Sequence, residues 1–275
     1  MREQPREERA PVRGGLILIL VVCATAGACS RAAPRHGPAD QARALLAAYL
    51  PPPAVTAAER QGAAVRLGGS ASPGAAIRLA SPEGSAITGT ADRKGAWRLN
   101  APAGAAPRLY SLSEVLGGRL VRAVGYVAVL PAPGPPAAML RPAATASLPA
   151  SPGSARGLSS IDYDASGQAM VAGRAWPGET VRLSVDGHEA GEDRADAAGG
   201  FSASLSRTLP AGPHVLSLAG QRLRASAAFA AARTSQLASP PYDARHTDGG
   251  WRIDWLTPGG GVQSTLLFDS RGGRS

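Results

Sequence analysis

Cysteine is nearly missing from this 275-residue chain: Cys23 and Cys29 are the whole supply. Both lie before residue 30, so removal of residues 1–28 as an export leader leaves one Cys and no intramolecular disulfide. Lysine is scarcer, with Lys94 alone; every other basic residue is Arg. Aromatic residues make 4% of the chain, three Phe and four Trp among them. Each folded unit must therefore close around Val, Ile and Leu with one aromatic anchor. The uncharged run Leu16–Ala28 falls short of the roughly 20 residues a spanning helix needs. Metal and catalytic signatures are also wanting. His36, His188, His214 and His246 are far apart and lack zinc spacing. No G-x-S-x-G elbow, Walker loop or H-E-x-x-H occurs. The Arg residues are scattered, which speaks against a nucleic-acid footprint. The net charge of +9 leaves two readings: an anionic partner such as a membrane or acidic glycan, or a GC-rich genome, because Ala, Arg, Gly and Pro share GC-rich codons.

What the chain does have is one pattern written twice, 104 positions apart. Gly69-Ser-Ala-Ser-Pro73-Gly74-Ala-Ala-Ile-Arg-Leu79 returns as Gly173-Arg-Ala-Trp176-Pro177-Gly178-Glu-Thr-Val-Arg-Leu183. The same offset maps Asp92 onto Asp196, Gly95 onto Gly199 and Trp97 onto Phe201. Such self-similarity predicts one supersecondary plan used twice. Each repeated residue has a structural task. Pro73-Gly74 and Pro177-Gly178 are turn signals whose Gly accepts positive φ. Asp92 and Asp196 hydrogen-bond their own backbone in the turns toward Gly95 and Gly199. Trp97 and Phe201 fill equivalent cores.

Alternation of apolar and polar residues predicts half-buried strands at Ile77–Leu79, Trp97–Leu99, Val181–Val185 and Phe201–Leu205. Leu120–Leu130 supplies one or two more, and Asp186-Gly187 signals a hairpin. Short strands between Gly/Pro turns predict an all-β chain of two antiparallel sandwiches in tandem. Asp40 caps a short helix through Leu50, ended by Pro51-Pro52-Pro53. Trp251, Ile253 and Trp255 share one face of a C-terminal β-hairpin, with Arg252 and Asp254 on the other. The expected organisation is a signal peptide over 1–28, a tether with a short helix over 29–62 and a first domain over 63–131. A Pro/Ala-rich linker over 132–157 follows, in which 137–140 is a possible edge strand. A second domain over 158–231 and a terminal hairpin and tail over 232–275 complete it.

Two resemblances extend this. The basic flank, short apolar stretch and Ala26-Gly27-Ala28-Cys29 resemble a bacterial lipoprotein precursor. The resemblance implies cleavage before Cys29, acylation of its sulfur and new N-terminus, and anchoring in a lipid bilayer. Ser30 after the Cys is compatible with sorting to the outer membrane, facing the periplasm. Ala26-Gly27-Ala28 also reads as an ordinary A-x-A cleavage site, which would leave Cys29 bare. The repeated pattern, with Asp186-Gly187 and Pro210–His214 in the second copy, resembles immunoglobulin-like modules of bacterial envelope proteins. That implies a non-enzymatic adaptor, spacer or assembly subunit with envelope-protein partners and no cofactor. Similar modules accompany LysM domains in some proteins, but no LysM sequence is present, so glycan binding does not carry over from the family.

Four features are candidates for chemistry. Asp162-Tyr-Asp164-Ala-Ser166-Gly167 looks like the first half of a calcium loop, yet Gly173 stands where the bidentate Glu belongs; a polar turn is the plainer reading, and no metal site is assigned. Glu189, Glu192, Asp193 and Asp196 form an acidic group that reads as a solvated loop. A hydrolase triad assembled from distant Ser, His and Asp is a third, weaker reading of function. Trp176 stands where the first copy has Ser72, so the fold does not demand an aromatic there. It either caps its own sandwich or contacts a partner or a glycan, peptidoglycan or lipopolysaccharide being the alternative ligand class.

Overall fold

The computed structural model describes residues 49–151 and 155–269, and every regular element in them is a strand. Cys29 and nearly all of the expected N-terminal helix lie outside these residues.

The first eight strands are β1 (Ala54–Gln61), β2 (Ala64–Ser70), β3 (Ala76–Ala80), β4 (Ala86–Thr90), β5 (Ala96–Pro102), β6 (Arg108–Leu116), β7 (Arg119–Val129) and β8 (Ala137–Leu140). They form two antiparallel sheets, β1-β2-β5 and β4-β3-β6-β7-β8. Strict alternation explains the packing of these sheets. In β5, Trp97, Leu99 and Ala101 are buried and their neighbours exposed. With Leu67, Ile77, Leu79, Tyr110, Leu112 and Val127 they make the first core between the two sheets.

The second set is β9 (Gly157–Asp164), β10 (Ala169–Arg174), β11 (Thr180–Val185), β12 (His188–Arg194), β13 (Gly200–Ser204), β14 (Gly212–Ala219) and β15 (Arg224–Ala231). β9-β10-β13 and β12-β11-β14-β15 repeat the order of the first seven strands, position for position. Phe201 with Ile161, Val171, Val181, Leu183, Leu216, Leu218 and Phe229 makes the second core. The β11–β12 hairpin turns at Asp186 (φ 52) and Gly187 (φ 78), the two left-handed residues a type I′ turn needs.

The remaining strands, β16 (Tyr242–Thr247), β17 (Gly250–Leu256) and β18 (Val262–Phe268), continue the second sandwich's sheet in the order β9-β18-β17-β16. The terminal segment is thus three strands of an existing sheet, where an appended hairpin was expected. Its two faces have different work. Leu266 and Phe268 join the second core. Trp251, Ile253, Trp255 and Leu267 pack against Leu109, Ala128, Leu130, Ala138 and Leu140 on the outer face of the first sandwich. This third core explains why β8 and β18 are buried on both faces. From Leu50 onward the chain is accordingly one compact unit.

Other expectations meet the structure as follows. β1 draws residues 54–61 out of the expected tether and into the first sheet. β8 is the edge strand that residues 137–140 offered within the linker stretch, and it pairs with β7. Arg252 and Asp254, the polar face of the terminal strand, are buried: Arg252 Nε donates to Asp254 Oδ1 at 2.9 Å. Thr234 and Ser264 complete that polar cluster.

Candidate functional site

The repeated motif builds the same turn twice. In the first copy Asp92 Oδ1 accepts from the N–H groups of Lys94 and Ala96. In the second, Asp196 Oδ1 accepts from Ala198 and Gly200. Ala71 N–H donates to Gly95 O, and Ala175 N–H to Gly199 O, at 2.8 Å in both. Gly95 (φ 79) and Gly199 (φ 82) each leave room that a Cβ would fill to 2.3 and 2.6 Å from the facing Ala carbonyl oxygen. Gly74 and Gly178 share a φ of 73°, and Pro73 and Pro177 take matching places beside Gly95 and Gly199. Trp97 lies over Gly69 and Phe201 over Gly173; a Cβ on either Gly would stand 2.4 Å from the ring. Backbone amides bound to Asp92 hold its carboxyl below the usual carboxylate range.

The copies diverge at one corner. In the first, Glu114 on β6 is buried and accepts from Ser72 N–H at 2.9 Å and from Ser72 Oγ at 2.7 Å. In the second, Trp176 N–H occupies the Ser72 position, and its acceptor is Glu179 Oε2 at 3.2 Å. Glu179 sits where the first copy has Ala75. By strand register the position equivalent to Glu114 is Gly220, the residue just after β14, where a Cβ would lie 2.6 Å from Glu179 Oε1. One carboxylate fills the same corner in both sandwiches, delivered from opposite strands.

Trp176 is 36% exposed. Its ring carries the guanidinium of Arg156 at 3.5 Å and that of Arg222 at 4.6 Å from the centroid. Arg194 Nε donates to Gly178 O at 3.1 Å, which places a third arginine at the turn. Glu179 has both oxygens engaged by backbone, Oε1 taking Arg222 N–H at 2.6 Å; these bonds lower its carboxyl's pKa. The sequence singled out Trp176. It did not show that Arg156, Arg194 and Arg222, from three separate segments, would gather there.

The other candidates resolve as structural groups. Asp162 is fully buried and accepts from Thr265 Oγ1, Ala146 N–H, Ser160 Oγ and Gln263 Nε2. Burial pushes its pKa up to about 6 against those bonds. Asp164 caps its own turn through Ser166 and Gln168. No group of three His, Cys, Asp or Glu suited to a metal occurs among the described residues. The acidic group is divided: Glu192 pairs with Arg182 at 2.9 Å, while Asp193 and Asp196 accept backbone N–H groups. His214 Nδ1 lies 2.7 Å from Asp186 Oδ2 and Nε2 lies 3.0 Å from Pro210 O, and the protonated ring donates to both. Both ring nitrogens face acceptors, so this His–Asp pair holds a hairpin and has no free nitrogen to serve as a base.

No family model matches the chain, and no curated protein matches it. Among solved structures it is similar to the BSP domain of a biofilm associated protein, at 12% identity and a TM-score of 0.23 over 68% of this chain. It is also similar to the central fibronectin-III array of RIM-binding protein, at 14% identity and a TM-score of 0.23 over 80% of this chain and 89% of that one. Invasin, a bacterial integrin-binding protein, gives 10% identity and a TM-score of 0.21 over 81% of this chain. The chain spans 30% of the biofilm protein's chain and 55% of invasin's.

Proposed function

We propose that this chain is a non-enzymatic module of the bacterial cell envelope: two immunoglobulin-like sandwiches held by acylated Cys29 at the outer membrane, facing the periplasm and serving as a spacer or adaptor. The observation that carries this reading is the third core. β17 and β18 belong to one sandwich by hydrogen bonding and to the other by packing, so the two seven-strand units cannot swing freely. A duplicated unit fused in this way suits a part that sets distance and orientation. The side chains that elsewhere do chemistry are here engaged by the fold: Asp92, Asp164 and Asp196 cap turns, and Glu114 and Glu179 close sandwich corners. Envelope-protein partners would dock on the outer edges of β4, β12 or β16, each the last strand of its sheet.

Mass spectrometry of the native N-terminus tests the anchor. An acylated Cys29 at the new N-terminus is expected, and Cys29→Ser should abolish the acyl mass and release the protein from membranes. An unmodified Cys29, or a product retaining residues 1–28, overturns it. The exposed Trp176 motivates a glycan-binding alternative, for which purified cell wall is the probe. Binding lost in Trp176→Ala supports it. Against it stands Arg156, packed 3.5 Å over the indole surface on which a sugar would stack.

A further inference from the structure

We infer that the Trp176 turn is an anion-binding site, built to take a phosphate group between the guanidiniums of Arg156 and Arg222. Two guanidiniums on one indole each gain a cation–π contact, but their assembly also carries a cost. Like charges are brought together, and two long side chains lose rotamer freedom. No carboxylate lies within ion-pair distance of Arg156, Arg194 or Arg222 among the described residues. The charge of Arg222 acts on the turn's own carboxylate, Glu179, only through space, since both Glu179 oxygens are bound by backbone N–H groups.

Stacking leaves the planar N–H edge of a guanidinium free, and that edge matches the oxygens of a phosphate. The guanidinium carbons stand 3.5 and 4.6 Å from the same ring centroid, so whichever faces they take they are at most about 8 Å apart. A single phosphate, accepting charge-assisted bonds at about 2.8 Å, is of a size to be reached by both. Arg194, held at the same turn through Gly178 O, adds a third positive charge. The internal duplication supplies a control. By strand register the first sandwich has Ser72 for Trp176, Pro53 for Arg156 and Thr90 for Arg194. The sandwich folds without the cluster, so its assembly in one copy needs a reason beyond the fold. The inference does not depend on the lipid anchor and goes beyond the spacer reading.

Trp176 also provides the readout. The other tryptophans, Trp97, Trp251 and Trp255, are at most 7% exposed, so intrinsic fluorescence changes on ligand addition report on Trp176. The full chain carrying Cys29→Ser is titrated with inorganic phosphate, and separately with vesicles of phosphatidylglycerol and of phosphatidylcholine. A saturable change with phosphate or phosphatidylglycerol is expected, absent with phosphatidylcholine and absent in Trp176→Phe. Arg156→Gln with Arg222→Gln should weaken it by about tenfold or more. Arg93→Gln with Arg98→Gln, an exposed pair on the first sandwich, should not. Saturation by phosphate alone assigns a soluble phosphate ligand, and response to phosphatidylglycerol alone assigns a lipid headgroup; either upholds the site. No response to either probe overturns the inference. So does equal binding by the Arg156/Arg222 variant, or an equal loss in the Arg93/Arg98 variant, since both would reduce the effect to overall charge.

Discussion

Glu114 offers the sharpest test of the duplicated fold. Glu114→Ala removes the acceptor for Ser72 N–H and Ser72 Oγ–H, both buried. Each orphaned donor costs about 1–3 kcal/mol. Relief of a buried carboxylate works in the opposite direction, so a net loss of about 2–4 kcal/mol is expected. The second sandwich prescribes the repair. There the carboxylate comes from the Ala75 position and the residue facing it, just after β14, is Gly220, because a Cβ would stand 2.6 Å from the carboxylate. Ala75→Glu should therefore recover much of the loss in a Glu114→Gly background and little of it in Glu114→Ala, although Gly in a strand itself costs roughly 0.5–1 kcal/mol. Urea unfolding followed by far-UV circular dichroism gives the stabilities of both single variants and both doubles. If Glu114→Ala shifts stability by under about 0.5 kcal/mol, the range of an ordinary surface substitution, the corner is not a structural requirement. If Ala75→Glu rescues the Glu114→Ala variant as well as the Glu114→Gly variant, the two corners are not equivalent.

Further predictions follow the same geometry. Gly173→Ala forces a Cβ to 2.3 Å from Gly157 O and against Phe201, and should lower stability by about 3 kcal/mol or more; Gly62→Ala, with open space but φ 57, should cost only about 1 kcal/mol. Trp255→Ala removes a fully buried ring that packs edge-on to Tyr126 at 5.7 Å and should cost about 3–5 kcal/mol, with hydrogen exchange accelerated in strands of both sandwiches. Asp162 has its pKa raised to about 6 in the fold, so its share of stability is present at acid pH and lost as pH rises from about 4 through 6, worth about 3 kcal/mol. Asp162→Asn should flatten that part of the stability–pH curve; an unchanged slope refutes the assignment. For His214, burial lowers the pKa, but the bonds to Asp186 and Pro210 outweigh it and the net direction is up. Its stabilisation is complete below about pH 6.5 and fades as pH rises through the raised folded value. His214→Gln should remove that alkaline decline, read by thermal melts from acid to alkaline pH.

The sequence by itself determined the strand pattern and its duplication. Alternation at Trp97–Ala101 and Phe201–Leu205 dictates which side chains face inward, because successive residues on a strand point to opposite faces. The Asp–Gly turns were legible because their requirements are local: an acceptor two residues back, and a backbone free to adopt positive φ. What lay beyond its reach were contacts between distant segments. Trp251, Ile253 and Trp255 announced an apolar face, but only the tertiary structure set that face on Leu130 and Leu140 and so made a joint where a linker was expected. Glu114 and Glu179 occupy unrelated sequence positions and meet the same backbone need. Arg156, Arg194 and Arg222 are separated by dozens of residues and gather at Trp176 only when two loops and the end of β12 converge. Periodicity fixes which face a side chain lies on; which partner waits there is decided when the sheets close.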